Sequence, residues 1–476
     1  MSQRKWISYG CVLFILLMLG GCGNITTQSG QENISGEEKV KLFDEFTDIE
    51  DFQGVPVMTV ANGKVEVQGD IGAGNQVAIV NGSEADEYWS YLDVLQDNGF
   101  KKYVDNGEEG LYGDVLSAAL TKGELTLTVI HMVKSNLTYI VAEDNIPLSD
   151  HLFYKDEYVS NNIEGAETTL HMMELNAAGN CFIIQLKNGH FIVDDGGREA
   201  DLPYLLEYLE TLAPEGEKPV IEAWLITHLH SDHAGAFEAF SANSTYLNRI
   251  YVQGIYTDLY NSDVSTRMNT TGRQLAVRTV AQKLQTTEGG HPEIYRPHAG
   301  QTYYFNDIKI DILQTMIQCP EDSWYRYSSN LNEFSTCRIF QIEGQKYLNV
   351  GDADYGAMRA MMRTYDSEDF EVDIMAVSHH GINVYNDFSD FVSAKTLLYT
   401  NFGIYGTFET GHTWAGSWQA SEDRNEYLQA KALESYSYGD GTVTLSFPYA
   451  VGTAKNLGQS RTDREPITDE NRIKYY

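Results

Sequence analysis

Apolar and polar positions divide the chain into stretches of different character. Arg4 and Lys5 open it, an apolar run extends from Cys11 to Leu19, and Leu19-Gly20-Gly21-Cys22 follows. The run is shorter than the roughly 20 residues that cross a bilayer, and charge, apolar stretch and small residues in this order match a secretion signal over residues 1–22. Gly23–Glu38 has almost nothing to bury, so residues 23–41 read as a flexible tether.

From 42 to 150 the pattern predicts a small α+β domain. Val57–Val60, Gln76–Val80, Val115–Ala119, Leu125–Met132 and Leu137–Ala142 read as strands. Glu84–Asn98 has helical spacing, with Trp89, Leu92 and Leu95 on one face, and stops at Gly99. No chemical motif falls here, so the unit reads as a packing partner or spacer, or as a module that binds a wall component.

A second domain is predicted over 165–455. Leu170–Leu175, Cys181–Leu186, His190–Val193, Val220–Ile226, Ile308–Leu313, Cys337–Ile342, Tyr347–Val350, Ile374–Val377 and Gly441–Phe447 read as strands. Helices are expected at Leu202–Leu212 and Ala234–Phe240. Strands alternating with helices suggest two sheets between helix layers. Residues 456–476 are polar, and from Arg461 on they read as a loosely held tail.

Composition narrows the functions. The 476 residues are 42% hydrophobic and 12% aromatic, enough for a sizeable core. A formal charge of −35 repels polyanions and argues against free DNA or RNA as a partner. A small-molecule or cell-wall-linked substrate fits better. Beyond Cys11 and Cys22, the cysteines Cys181, Cys319 and Cys337 show no paired spacing, so no disulfide framework is implied. No Gly-x-Ser-x-Gly element is present, and Cys181 has no evident base.

The chemistry concentrates at Thr227-His-Leu-His-Ser-Asp-His-Ala-Gly235, directly after a predicted strand. In an extended loop, alternate residues point to one side, so His228 and His230 can share one ion. The next turn aims Asp232 and His233 at a second. Imidazole plus carboxylate suits Zn²⁺, and also Mn²⁺ or Fe²⁺.

This segment resembles the His-x-His-x-Asp-His signature of the metallo-β-lactamase superfamily. The resemblance implies an αββα sandwich (an α/β fold) with one or two divalent metal ions. It also implies roles elsewhere in the chain. Asp194, in Asp194-Asp195-Gly196, matches the aspartate that orients the metal loop. Asp352, in Tyr347-Leu-Asn-Val-Gly-Asp, matches the aspartate that bridges two ions. Ser378-His379-His380-Gly381 matches the last ligand position, with His380 preferred and His379 the alternate. One element departs from the pattern. The histidine that ordinarily precedes the bridging strand is missing, and Asn332-Glu333-Phe334-Ser335 stands there. The first ion would bind more weakly, or be completed by Asn332, Glu333 or water. His291 and His298 read as structural.

An Asn-x-x-Ser element, a strand, Gly-Asp and His-His-Gly together resemble the extracellular hydrolase domain of the ComEC competence channel, over about 167–450. Asn332 and Ser335 then support the site. Asn401 through Gly411-His412 is similar to a later segment of that group and makes His412 a proton donor or substrate contact. Leu19–Cys22 resembles a bacterial lipobox, which implies a lipid on Cys22 and an anchored protein on the outer face of the cytoplasmic membrane. The combined expectation is a metal-dependent hydrolase in which Asp232 or Asp352 orients an activated water against a phosphodiester. Hydrolysis of a lactone or amide is one alternative, and a non-enzymatic surface-binding lipoprotein is another.

Overall fold

The computed structural model describes residues 55–72, 75–152, 161–240, 244–257, 292–318, 331–402 and 415–468. The signal with Cys22, the tether, residues 42–54, His291, Cys319 and His412 lie outside the described residues.

Long apolar runs build the first sheet. β1 (Lys64–Gly72), β2 (Asn75–Asn81), β3 (Lys101–Asp105), β4 (Val115–Lys122), β5 (Leu125–Met132) and β6 (Leu137–Asp144) pair antiparallel in the order β1-β2-β6-β5-β4-β3. Helix α1 (Ala85–Asp97), closed at its start by a reciprocal Glu84–Glu87 capping box, lays Tyr88, Tyr91, Leu92 and Leu95 on one face. Ile79, Ile130, Met132 and Val141 on the other face join Leu313, Leu348, Val350 and Met358 of the second domain in one core. With both faces covered, β4 and β5 are buried along most of their length, Ser117, Thr126, Thr128 and His131 included.

The chain then lays down β7 (Thr169–Met172), β8 (Cys181–Gln185), β9 (Phe191–Asp195), β10 (Val220–Leu225), β11 (Tyr251–Val252), β12 (Gly254–Tyr256) and β13 (Glu293–Tyr295). A further sheet follows from β14 (Thr302–Phe305), β15 (Ile308–Gln314), β16 (Cys337–Ile342), β17 (Gln345–Asn349), β18 (Glu371–Ala376), β19 (Ser393–Tyr399) and β20 (Glu434–Ser437). Finally β21 (Val443–Ser446) and β22 (Lys455–Asn456) return to the earlier sheet. The orders are β13-β12-β10-β9-β8-β7-β21-β22, with β11 beside β10, and β14 through β20 in sequence. Phe182 meets Tyr347 at 5.5 Å between the two sheets, and Tyr347 stacks on Phe340. Helices α2 (Leu202–Leu212) and α3 (Ser231–Phe240) cover one outer face, with Trp224 edge-on to Phe237 at 5.0 Å. The helices Tyr355–Thr364 and Asn386–Phe391 pack Met358, Met361 and Phe388 on the other. This is the αββα sandwich, preceded by the small α+β domain.

Polar ties join the small domain to the sandwich. Arg296 and His298 donate to the two oxygens of Glu143 at 2.6 and 3.1 Å, with all three side chains buried. His298 thus ties the two domains together, in keeping with a structural reading. Asn106 reaches the carbonyl of Gly300, and Tyr112 donates to Asp311.

The C-terminal segment is not loosely held as far as Ile467. Its cations face buried acids: Arg461 pairs with Asp201 and Arg464 with Glu174, while Asp463, exposed, holds Arg461 from the outside. Polar composition misled here because these cations are themselves buried, at 1% and 2% side-chain exposure.

Candidate metal centre

Four strand ends meet at one edge of the sandwich. β9 ends at Asp195 and β10 leads into Thr227–His230. β17 leads into Gly351-Asp352, and β18 into Ser378–Gly381. β9 runs parallel to β10, and β17 parallel to β18, so their carboxyl ends fall on the same side. Helix α3 begins at Ser231, three residues before the expected Ala234, because His233 and Ala234 both donate backbone N–H to the His230 carbonyl. Asp232 and His233 thus sit in a first helical turn. Gly235 lets that turn approach closely, since a Cβ there would lie 2.9 Å from the Glu199 nitrogen.

The side chains gather into two groups of three. His228, His230 and Asp352 offer ligand atoms all within 4.8 Å of one another, and so do Asp232, His233 and His380. His228 Nε2 lies 2.9 Å from His230 Nδ1 and 3.7 Å from Asp352 Oδ2. His233 Nε2 lies 3.0 Å from Asp352 Oδ1, and His380 Nε2 lies 3.4 Å from Asp232 and 3.8 Å from Asp352. Asp352 thus stands between the groups.

Each buried imidazole has its other nitrogen held from outside. His228 Nδ1 meets Thr227 Oγ1 at 3.2 Å and Ser335 Oγ at 3.4 Å, His233 Nδ1 meets Asp195 at 2.7 Å, and His380 Nδ1 meets Thr400 Oγ1 at 2.8 Å. Fixing one nitrogen orients the ring and directs the other inward, the usual support of a metal-ligating histidine. Mixed imidazole and carboxylate donors, three to a group, fit divalent ions such as Zn²⁺, Mn²⁺ or Fe²⁺.

Charge reinforces the pattern. Burial alone would raise the Asp352 carboxyl, but His233, His379 and His380 outweigh it and hold it well below the usual range. Burial and the neighbouring His233 push His228 well below the ordinary imidazole value. His233 goes the other way: burial opposes its charge, yet Asp352 and Asp195 raise it well above. Two buried carboxylates therefore favour a proton on His233, one that an ion bound at that ring would displace.

The structure separates His379 from His380. His380 joins a donor group, whereas His379 stands at the rim with 23% of its side chain exposed, 3.6 Å from Asp352. Both have left-handed backbones, at φ 49° and 57°, ahead of Gly381 at 96°. Such a run is costly and persists only where its surroundings enforce it. Asn401 and Asn425 do so, donating to the carbonyls of His380 and Gly381 at 2.6 Å each.

Asp194 requires a correction. The loop is held by Asp195, whose carboxylate accepts from Thr227 N (2.8 Å), Thr227 Oγ1, His233 Nδ1 and Asn180 Nδ2 (2.7 Å each). Asp194 faces the other sheet, toward Asn349 at 2.7 Å and Arg338 at 3.4 Å. Successive strand residues point to opposite faces, and Asp195 adds a left-handed φ of 61° that turns it onto the loop.

Where the expected histidine is missing, Asn332 lies 3.3 Å from His379 Nδ1, and Ser335 Oγ accepts from the Asp352 N–H at 3.1 Å. Glu333 does not complete the first donor group. Its carboxylate accepts from Ala357 N and Gly356 N, capping the helix Tyr355–Thr364. Arg198 was not singled out by the sequence. It reaches over the site's edge, 3.5 Å from Asp232 Oδ2, with its side chain 36% exposed. Its position one residue beyond Asp195-Gly196-Gly197 was the available signal.

Residues 176–302 match the family profile described as Metallo-beta-lactamase superfamily, so the chain carries a domain of that superfamily. Among solved structures, the metallo-beta-lactamase fold protein YhfI from Bacillus subtilis is similar at 11% identity and a TM-score of 0.36, over 59% of this chain and 100% of that one. CmlA, a diiron beta-hydroxylase from Streptomyces venezuelae, is similar at 13% identity and a TM-score of 0.35, over 59% of this chain and 54% of its own. No curated protein matches.

Proposed function

We propose that this protein is a metal-dependent phosphodiester hydrolase acting on a small or cell-wall-linked substrate at the outer face of the cytoplasmic membrane, anchored by a lipid on Cys22. The observation that carries the reading is the pair of donor groups flanking Asp352. Two ions side by side suit displacement at phosphorus, where the entering and leaving oxygens both need stabilising. Arg198 beside Asp232 supplies a cation at the opening, which favours an anionic ester over a neutral lactone. The overall charge of −35 restricts the substrate to one short enough to escape long-range repulsion.

His228, His230 and Asp352 would hold one ion, and Asp232, His233 and His380 the other. When bound, these ions lower the pKa of water to about 7 and draw charge from a phosphoryl oxygen. Asp352 and Asp232 would accept a hydrogen bond from the attacking water and so orient it, Asp232 reaching solvent at 20% side-chain exposure. Thr227 and Asp195 keep the His233 ring fixed. His412, outside the described residues, is proposed as proton donor to the leaving group on the strength of its sequence context.

The test is purified, metal-analysed protein offered a bis-aryl phosphate, an aryl phosphate, a lactone and a chromogenic β-lactam. Diester cleavage that disappears in His230→Ala and Asp232→Ala is expected. Activity confined to the lactone or lactam overturns the reading.

A further inference from the structure

We propose that Asp194 works through Asn349 to set the turn carrying Asp352, so that two adjacent aspartates each hold one half of the metal centre; the inference rests on the metal reading above. Asn349 uses both ends of its amide. Its Nδ2 donates to Asp194 Oδ2 at 2.7 Å across the sandwich, and its Oδ1 accepts from Gly351 N at 2.9 Å within its own turn. Asp194 and Asn349 are each at most 1% exposed, so neither bond can be exchanged for water without cost.

The turn is closely confined. Gly351 adopts φ 55°, and a Cβ there would lie 2.9 Å from Thr227 Cβ and 3.1 Å from Ser335 Oγ. The next residue, Asp352, has its N–H on Ser335 and its carbonyl on Asn383. A change at Asn349 is therefore passed to Gly351 and then to the carboxylate between the two donor groups. Asp195, on the opposite side of the same strand, holds Thr227 and His233. The halves meet where Gly351 touches Thr227.

A plain link between sheets needs only Asp194 and Arg338, which lie 3.4 Å apart. It leaves the second bond of Asn349 unexplained. Asp194 and Asn349 are thus positioning residues, acting on the ions through Asp352.

The experiment compares wild type, N349D, N349S and D194N/N349D by cobalt(II) titration and by the visible ligand-field spectrum at saturating cobalt, with far-UV dichroism confirming the fold. N349D brings two carboxylates face to face, whereas D194N/N349D restores a donor–acceptor pair in reverse. The expected result is cobalt binding loosened about 10- to 100-fold with an altered spectrum in N349D and N349S. In the double variant, affinity returns to within about threefold of wild type and the spectrum recovers. If N349D alone does not fold, N349S and the double variant decide by the same two readouts. Wild-type affinity and spectrum in N349S, or no recovery in the double variant, overturn the inference. A wild-type chain that takes up less than about one cobalt overturns the metal reading instead.

Discussion

Replacing Asp195 by asparagine separates two neighbouring carboxylates that look equivalent in sequence. Four donors converge on Asp195 at 2.7–2.8 Å, and the residue is fully buried. Thr227 N–H is on one oxygen and the other three donors share the second, so an amide that keeps the shared oxygen turns its NH₂ onto the Thr227 N–H. At least one buried donor then lacks an acceptor, so Asp195→Asn should cost at least about 1–3 kcal/mol of metal-free stability. For metal, the effect passes through His233, and loss of such support loosens an ion about 10- to 100-fold. That corresponds to about 1.4–2.7 kcal/mol. Zinc affinity by competition with a chromogenic chelator and urea unfolding in chelator measure the two separately. Asp194→Asn keeps an acceptor for Asn349 and should change zinc affinity less than about tenfold. An Asp195→Asn variant with unchanged affinity, or a larger loss in Asp194→Asn, refutes the assignment.

Three further outcomes are expected. Burial would raise the Glu143 carboxyl, but His298 and Arg296 bring it from 4.5 down to about 2. Its folded value is below the unfolded one, so its contribution of about 3 kcal/mol is present above pH 4.5 and is lost as pH falls toward 2; Glu143→Gln should flatten that limb of a stability–pH curve. Gly351→Ala forces a side chain into a left-handed turn against Thr227, and should cost at least about 2 kcal/mol by chemical denaturation. Arg461→Ala breaks a buried pair with Asp201 and should lower stability by about 3–5 kcal/mol, with earlier proteolysis of the C-terminal segment; an unchanged midpoint would show that this pair does not hold the segment.

Much of the fold was legible because periodicity survives wherever one face meets a core. Leu125–Met132, Leu202–Leu212 and Cys337–Ile342 have the expected bounds. Strand β1 was missed because glycines interrupt its alternation, and β19 because Ser393-Ala-Lys opens it with weak strand formers. The histidine loop was legible because its candidate donors lie within six residues, so local geometry alone brings them together. What sequence could not decide was orientation. Choosing Asp195 over Asp194 requires the strand's facing, and choosing His380 over His379 requires the left-handed pair that Asn401 and Asn425 enforce. The buried C-terminal arginines looked like solvated charge because their partners, Glu174 and Asp201, lie over 250 positions away.

The proposed centre holds two ions divided by Asp352. Anomalous diffraction from crystals grown with zinc locates them. Two peaks are expected, one among His228, His230 and Asp352 and the other among Asp232, His233 and His380. No peak at these residues, or a single ion bound through His379, would refute the pair.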